Sequence, residues 1–226
     1  MNDQEQYVTA AGRFGCTGLY DASIALTMRE ERWRPVLSHR VLAAVPAGGR
    51  VLDVGAGTGT LAIALTSARP DVEVIGIDGD PEILALARAK PGAGAVRFEQ
   101  GLAGQLELPD ASVDAAVMTL VLHHLAPDAK RRALADLARV LRPGGQLHVA
   151  DWGRPATPLL RASFFVLQLI DGFDGTRDHA AGRLPEFLHD AGFEDVRRYG
   201  RLRTVWGTLE LLAATALSPQ TISRAT

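Results

Sequence analysis

Residues 51–60 read Val51-Leu52-Asp53-Val54-Gly55-Ala56-Gly57-Thr58-Gly59-Thr60, and this run constrains the fold more than any other. An apolar strand enters three glycines at alternate positions and leaves as a helix. Glycines so placed let the backbone turn tightly and approach a ligand closely, with amide N–H groups and a helix N-terminus facing it. A strand, a glycine turn and a helix open a βαβ unit, whose next strand lies parallel after a right-handed crossover.

The rest of the chain keeps that alternation. Helices are expected at about Asp21 to Arg34 and Val36 to Val45, stopped by Pro46-Ala47-Gly48-Gly49. After the first strand and the helix Thr58 to Ala68 come a strand Val72 to Ile77 and a helix Glu82 to Ala89 led by Pro81. A short strand Val96 to Glu99, a longer one Val113 to Val121, a helix Pro127 to Leu141 and a strand Gln146 to Asp151 follow. Residues 156–190 read as helices and loop, and Phe193 to Thr204 with Val205 to Ala214 as an antiparallel pair. The pattern predicts an α/β fold, a Rossmann-like doubly wound seven-stranded sheet that is mostly parallel with an antiparallel last strand. A length of 226 residues allows one or two domains. Segments 1–45 and 152–185 are too small to hold their own cores, so a single domain 1–226 is expected, with those segments as helical lids.

A glycine-rich turn alone suits nicotinamide, flavin and other nucleotide ligands. Two details narrow it. Thr60 stands where the dinucleotide fingerprint needs its third glycine. Asp53, beside the loop, would repel a pyrophosphate but suits a ligand carrying an ammonium and a sulfonium, as S-adenosylmethionine does. Asp78 follows the loop by about the 20 residues that bring a carboxylate to a ribose, although it also reads as a turn residue of Asp78-Gly79-Asp80-Pro81.

Composition limits the alternatives. A net charge of -2 argues against a dedicated nucleic-acid binder. One cysteine, Cys16, allows neither an internal disulfide nor a multi-cysteine metal site, and no metal is expected. The polar, acidic start is unlike a secretory signal, and no apolar run nears the roughly 18 residues that span a bilayer, which predicts a soluble, cytoplasmic protein. Only Lys90 and Lys130 are lysines; the other basic residues are arginine.

On these residues the chain resembles the class I S-adenosylmethionine-dependent methyltransferases. The matching stretches are Val51–Gly59, Gly76–Leu84, Leu108–Asp114, Val121-Leu122-His123-His124-Leu125 and Arg139-Val140-Leu141-Arg142-Pro143-Gly144-Gly145. The last three look like signatures of the small-molecule subset. Tyr20-Asp21, Trp33-Arg34 and the stretch after Asp151 are similar to the ubiquinone/menaquinone C-methyltransferase group. The resemblance implies that Asp53, Gly55, Ala56, Gly57, Thr58 and Gly59 line the methionine part of the cofactor. It places Asp78 on the ribose, the Gly79 amide and Ile83 on the adenine, and Leu120 at the amino-acid end. Where relatives often carry an acid for the adenine amino group, this chain has Leu102-Ala103, which then contribute packing and backbone contacts.

Methyl transfer is an in-line displacement on an activated cofactor, so the protein supplies proximity, orientation and exclusion of water. A base is needed only if the acceptor must lose a proton. His123 and His124 are the first candidates, at the carboxyl edge after the fourth strand; the alternative is that they pack internally. Asp151, ending the fifth strand, and Tyr20 and His179, in the lid segments, complete the set. The run Phe164 to Ile170 suggests an apolar pocket wall, or equally a helix packed on the sheet. Strand alternation puts Arg197, Arg201 and Arg203 on one solvated face. The predicted activity is methylation of a small, partly hydrophobic metabolite. A cofactor-binding protein without methyl transfer, or an RNA methyltransferase, are the alternatives; acceptor atom and oligomeric state stay open.

Overall fold

A computed structural model describes residues 27–217. Its strands are β1 Arg50–Val54, β2 Glu73–Asp78, β3 Val96–Gln100, β4 Val113–Thr119, β5 Leu141–Gly153, β6 Phe193–Arg203 and β7 Thr208–Ala216. They form one seven-stranded sheet in the order β3-β2-β1-β4-β5-β7-β6, with β7 antiparallel to both β5 and β6. The helices are α1 Glu30–Ala43, α2 Thr60–Ala68, α3 Pro81–Ala89, α4 Pro127–Val140, α5 Pro158–Asp171, α6 Phe173–Ala181 and α7 Leu184–Asp190.

Period-two alternation divides the apolar residues between two cores. Val51, Ala115 and Val117 face α1, α2 and α3, together with Trp33, Leu37, Leu61 and Leu84. Leu52, Val54, Ala116 and Met118 face the other way, onto Leu134, Leu137, Leu184 and Phe187 of α4 and α7. A strand buried on both faces must be largely apolar, which is why β1 and β4, apart from Asp53 and Asp114, read as nearly continuous runs. Each fully buried large apolar side chain contributes about 1.5–3 kcal/mol.

The structure departs from the expected boundaries in several places. From Glu30 onward a single helix runs through Pro35, instead of breaking before Val36. Proline forfeits one helical hydrogen bond there, but Trp33, Leu37 and Val41 are buried on one face and hold the helix on the sheet. β4 stops at Thr119, because Leu120 adopts a left-handed conformation (φ 57°) while its N–H donates to the Ala150 carbonyl at 2.8 Å. The Pro143-Gly144-Gly145 stop lies inside β5, whose pairing with β4 is irregular between Val113 and Ala115. Thr204–Gly207 makes the turn between β6 and β7, closed by the Thr204 N–H donating to the Gly207 carbonyl at 2.9 Å. Two register shifts in β6 break the simple alternation of its arginines. As a result Arg198 and Arg201 both reach the Glu210 carboxylate, at 3.0 and 3.3 Å.

α7 belongs to the second core through Leu184, Phe187 and Leu188, whereas α5 and α6 lie beyond the carboxyl ends of β4 and β5. Two residues pin α6 there. A Cβ on Gly175 would fall 2.1 Å from the His123 carbonyl oxygen, so only glycine lets the helix touch the turn after β4. Lys130 of α4 is completely buried and donates from Nζ to the Gly175 carbonyl at 2.5 Å, with Asp178 at 3.5 Å. In α5 the apolar run divides: Phe164 and Leu167 are buried, but Leu169 and Ile170 are more than 60% exposed.

Candidate active site

The glycine loop is wired to the end of β2. The Gly55 and Ala56 N–H groups donate to the Ile77 carbonyl at 2.8 and 3.0 Å, and the Gly57 N–H donates to Asp78 Oδ2 at 2.8 Å. Several amides that the motif offered to a ligand are therefore engaged internally, and they preset the loop. All three glycines have positive φ, for different reasons. A Cβ on Gly55 would strike Val121 at 2.2 Å and one on Gly59 would strike Phe98 at 2.5 Å, whereas one on Gly57 would meet nothing within 4 Å. The middle glycine alone lies against open space. Sequence reasoning passed over Lys90, whose Nζ donates to Thr58 Oγ1 at 2.7 Å and Thr60 Oγ1 at 2.9 Å.

Asp78 Oδ1 also accepts the Asp80 N–H at 3.0 Å, so the carboxylate is held at the loop. Asp80 caps α3 by accepting the Glu82 and Ile83 N–H groups, and Pro81 occupies the first turn. Gly79 accepts a 3.3 Å bond from Gln100 Nε2. Ile83 is buried, Leu102 is exposed, and Ala103 packs against the second core. Leu120 packs against the first core from its left-handed position.

Asp53 is 1% exposed, and neither carboxylate oxygen has a hydrogen-bond partner. Burial pushes its carboxyl up to about 7; Arg34 opposes this and Asp78 adds to it. A buried, unpartnered carboxylate beside an open glycine suits a cationic ligand group. The α-ammonium of S-adenosylmethionine is such a group, and Asp78 lies at the same loop for a ribose. The residues present fit the cofactor.

A second polar cluster follows β4. His123 Nδ1 lies 2.8 Å from Asp151 Oδ1, and the His123 and Trp152 N–H groups donate to the same carboxylate at 3.4 and 2.7 Å. Burial would raise the Asp151 carboxyl, but the flanking imidazoles and these donors hold it well below the ordinary range. An ionised carboxylate only accepts, so the network places a proton on His123 Nδ1. His123 Nε2 lies 3.7 Å from Asp171 Oδ2. The His124 ring lies with its centroid 3.9 Å from that of His123, and its Nδ1 is buried without a partner. Burial, reinforced by His123, pushes His124 down to about 3. His179 Nδ1 lies 2.6 Å from the Trp152 carbonyl, and burial lowers that imidazole to about 4.

The structure thus gathers His123, His124, Asp151 and His179 beside the Val121 contact with Gly55. Tyr20 and Cys16 lie outside the described residues. Asp171 was not foreseen, because it reaches the site only through the end of α5, whose path no local pattern reveals.

Comparison with known proteins agrees with this geometry. Residues 51–145 match the family described as a methyltransferase domain. The demethylmenaquinone methyltransferase of Thermus thermophilus is 39% identical over 162 residues, covering 69% of this chain and 72% of that protein. That of Deinococcus radiodurans is 38% identical over 163 residues, covering 71% of this chain; the match spans 64% of that relative, just under two thirds of its length. A solved methyltransferase structure from Thermotoga maritima shares the fold at a TM-score of 0.67 and 23% identity, covering 88% of this chain and 95% of that one. With the acid-flanked glycine loop, the Asp78 contact and these relatives in agreement, the chain belongs to the S-adenosylmethionine-dependent methyltransferases.

Proposed function

We propose that this chain methylates a small, partly apolar metabolite whose polar end docks on His123, His124 and Asp171. The observation that carries the reading is the His123–Asp151 pair. A buried carboxylate fixes one imidazole, with its second nitrogen toward Asp171, on the turn that abuts the glycine loop. Asp53, Gly55, Ala56, Gly57, Thr58, Gly59, Asp78, Gly79, Ile83, Leu102, Ala103 and Leu120 are the residues proposed to hold the cofactor. S-adenosylmethionine supplies a methyl group already activated by its sulfonium. Asp53 meets the positive charge, Asp78 anchors the ribose, His123 and His124 contact the acceptor, and Asp151 positions His123. The helices α5 and α6 exclude water from the transfer path, and Trp152 and Phe164 offer an apolar wall.

Relatives named for demethylmenaquinone support an aromatic, oxygen-bearing acceptor of low polarity. The test is S-adenosylhomocysteine formation across hydroxylated aromatic and quinol acceptors, with bulk RNA as a comparison. Asp151→Asn should lower kcat by about 10- to 100-fold and leave the dissociation constant for S-adenosylmethionine within about twofold. Cofactor binding without product on any acceptor would instead favour a non-transferring binding protein.

A further inference from the structure

Three side chains of the polar cluster present donors to a common point. One ring nitrogen each from His123 and His124 and one carboxylate oxygen of Asp171 all lie within 4.8 Å of one another. We propose that His123, His124 and Asp171 form a binding site for a divalent transition-metal ion, with Asp151 orienting His123 from behind.

His123 Nδ1 lies against Asp151, and its Nε2 lies 3.7 Å from Asp171 Oδ2. The neighbouring His124 ring adds a buried nitrogen with no partner. Asp171 is the last residue of α5, so its carboxylate also sits at the negative end of a helix dipole. Asp151, fully buried, adds a second negative charge. A metal ion among these groups would take a ring nitrogen from each histidine and a carboxylate oxygen of Asp171 together. Donors about 2.0–2.2 Å from a tetrahedral ion lie roughly 3.3–3.6 Å apart, and the His123–Asp171 pair stands at 3.7 Å.

The donor set defines the ion. Two imidazoles and one carboxylate favour zinc or iron(II) over magnesium or calcium, which prefer oxygen ligands. Three protein ligands leave a coordination position open. Carboxylate–histidine–metal pairing is also the usual way a ligating imidazole is held, and Asp151 stands ready in that place. If the proposed methyl transfer holds, the open position takes an oxygen of the acceptor, which makes a phenol, enol or hydroxy acid the fitting class. The ion site itself does not depend on that transfer.

Metal-free, untagged protein is titrated with zinc by calorimetry and with cobalt(II) by visible absorption. Expected are one ion per chain at micromolar affinity and the intense visible bands of a low-symmetry cobalt centre. Asp171→Asn and His124→Gln should each weaken binding at least tenfold, and Asp151→Asn by about 10- to 100-fold. Circular dichroism and S-adenosylmethionine binding, measured on every variant, separate loss of the ion from loss of the fold. No uptake at millimolar metal, or unchanged affinity in both Asp171→Asn and His124→Gln, overturns the site. Metal binding without cofactor binding would overturn the methyltransferase reading alone.

Discussion

Replacing Asp53 by asparagine should make the ligand-free protein more stable and the cofactor weaker. The reasoning begins with a carboxyl that is 1% exposed, has no hydrogen-bond partner and is raised to about 7 from an ordinary 3.8. A raised carboxyl means that the folded state holds its proton more tightly than the unfolded one. Its burden on stability is therefore absent below pH 4, grows as pH rises through the interval from 4 to 7, and is constant above. At 1.36 kcal/mol per pH unit the full cost is about 4 kcal/mol. Asparagine is the uncharged isostere and removes the pH-dependent part. Chemical denaturation of both proteins at pH 4.5, 6 and 8 should show stabilities that differ by only about 1 kcal/mol at the lowest pH. At pH 8 the variant should lead by up to about 4 kcal/mol, or about 8–16 °C in Tm. S-adenosylmethionine binding should move the other way, by tenfold or more, because the ammonium loses its counter-charge. Calorimetry of the parent near pH 6.5 in buffers of different ionisation enthalpy should also show proton release on binding. A variant whose advantage fails to grow between pH 4.5 and 8, or which binds cofactor normally, would refute the reasoning.

Other expectations concern the helices over the site. Lys130→Met should destabilise the protein by about 3 kcal/mol, read from denaturant unfolding, since Asp178 and the Gly175 carbonyl lose a completely buried partner. Gly175→Ala should cost about 1–3 kcal/mol and increase hydrogen exchange across α6, because the new methyl would meet the His123 carbonyl at 2.1 Å. Gly59→Ala should be as harmful for two reasons, its φ of 73° and Phe98 at 2.5 Å, and should lower cofactor affinity as the loop shifts. Leu169→Ser, on an exposed side chain, should leave Tm within about 1 °C.

The parts of this molecule that local periodicity controls were legible. Continuous apolar runs marked β1 and β4, alternate glycines marked the loop, and the length of one βα unit brought Asp78 to Gly57. The clustering of His123, His124 and Asp151 was foreseeable because strand ends in a parallel sheet share an edge. What stayed hidden depends on contacts between distant segments. Whether Pro35 breaks a helix is decided by the burial of Trp33 and Leu37 against the sheet. The companionship of Arg198 and Arg201 at Glu210 follows from register shifts that alternation does not contain. Asp171 and Lys130 look like ordinary surface charges in sequence, and only the path of α5 and α6 turns one toward an imidazole and seals the other.

The burial of Lys130 gives the protein a built-in reporter. The chain has two lysines, Lys90 tied to the glycine loop and Lys130 beneath α6. Burial lowers the Lys130 ammonium from its ordinary value, against the pull of Asp178 and Asp151. A reagent that acylates amines can reach it only when α6 lifts from α4. The rate at which the peptide containing Lys130 gains the label therefore times the opening of the site, without any introduced probe.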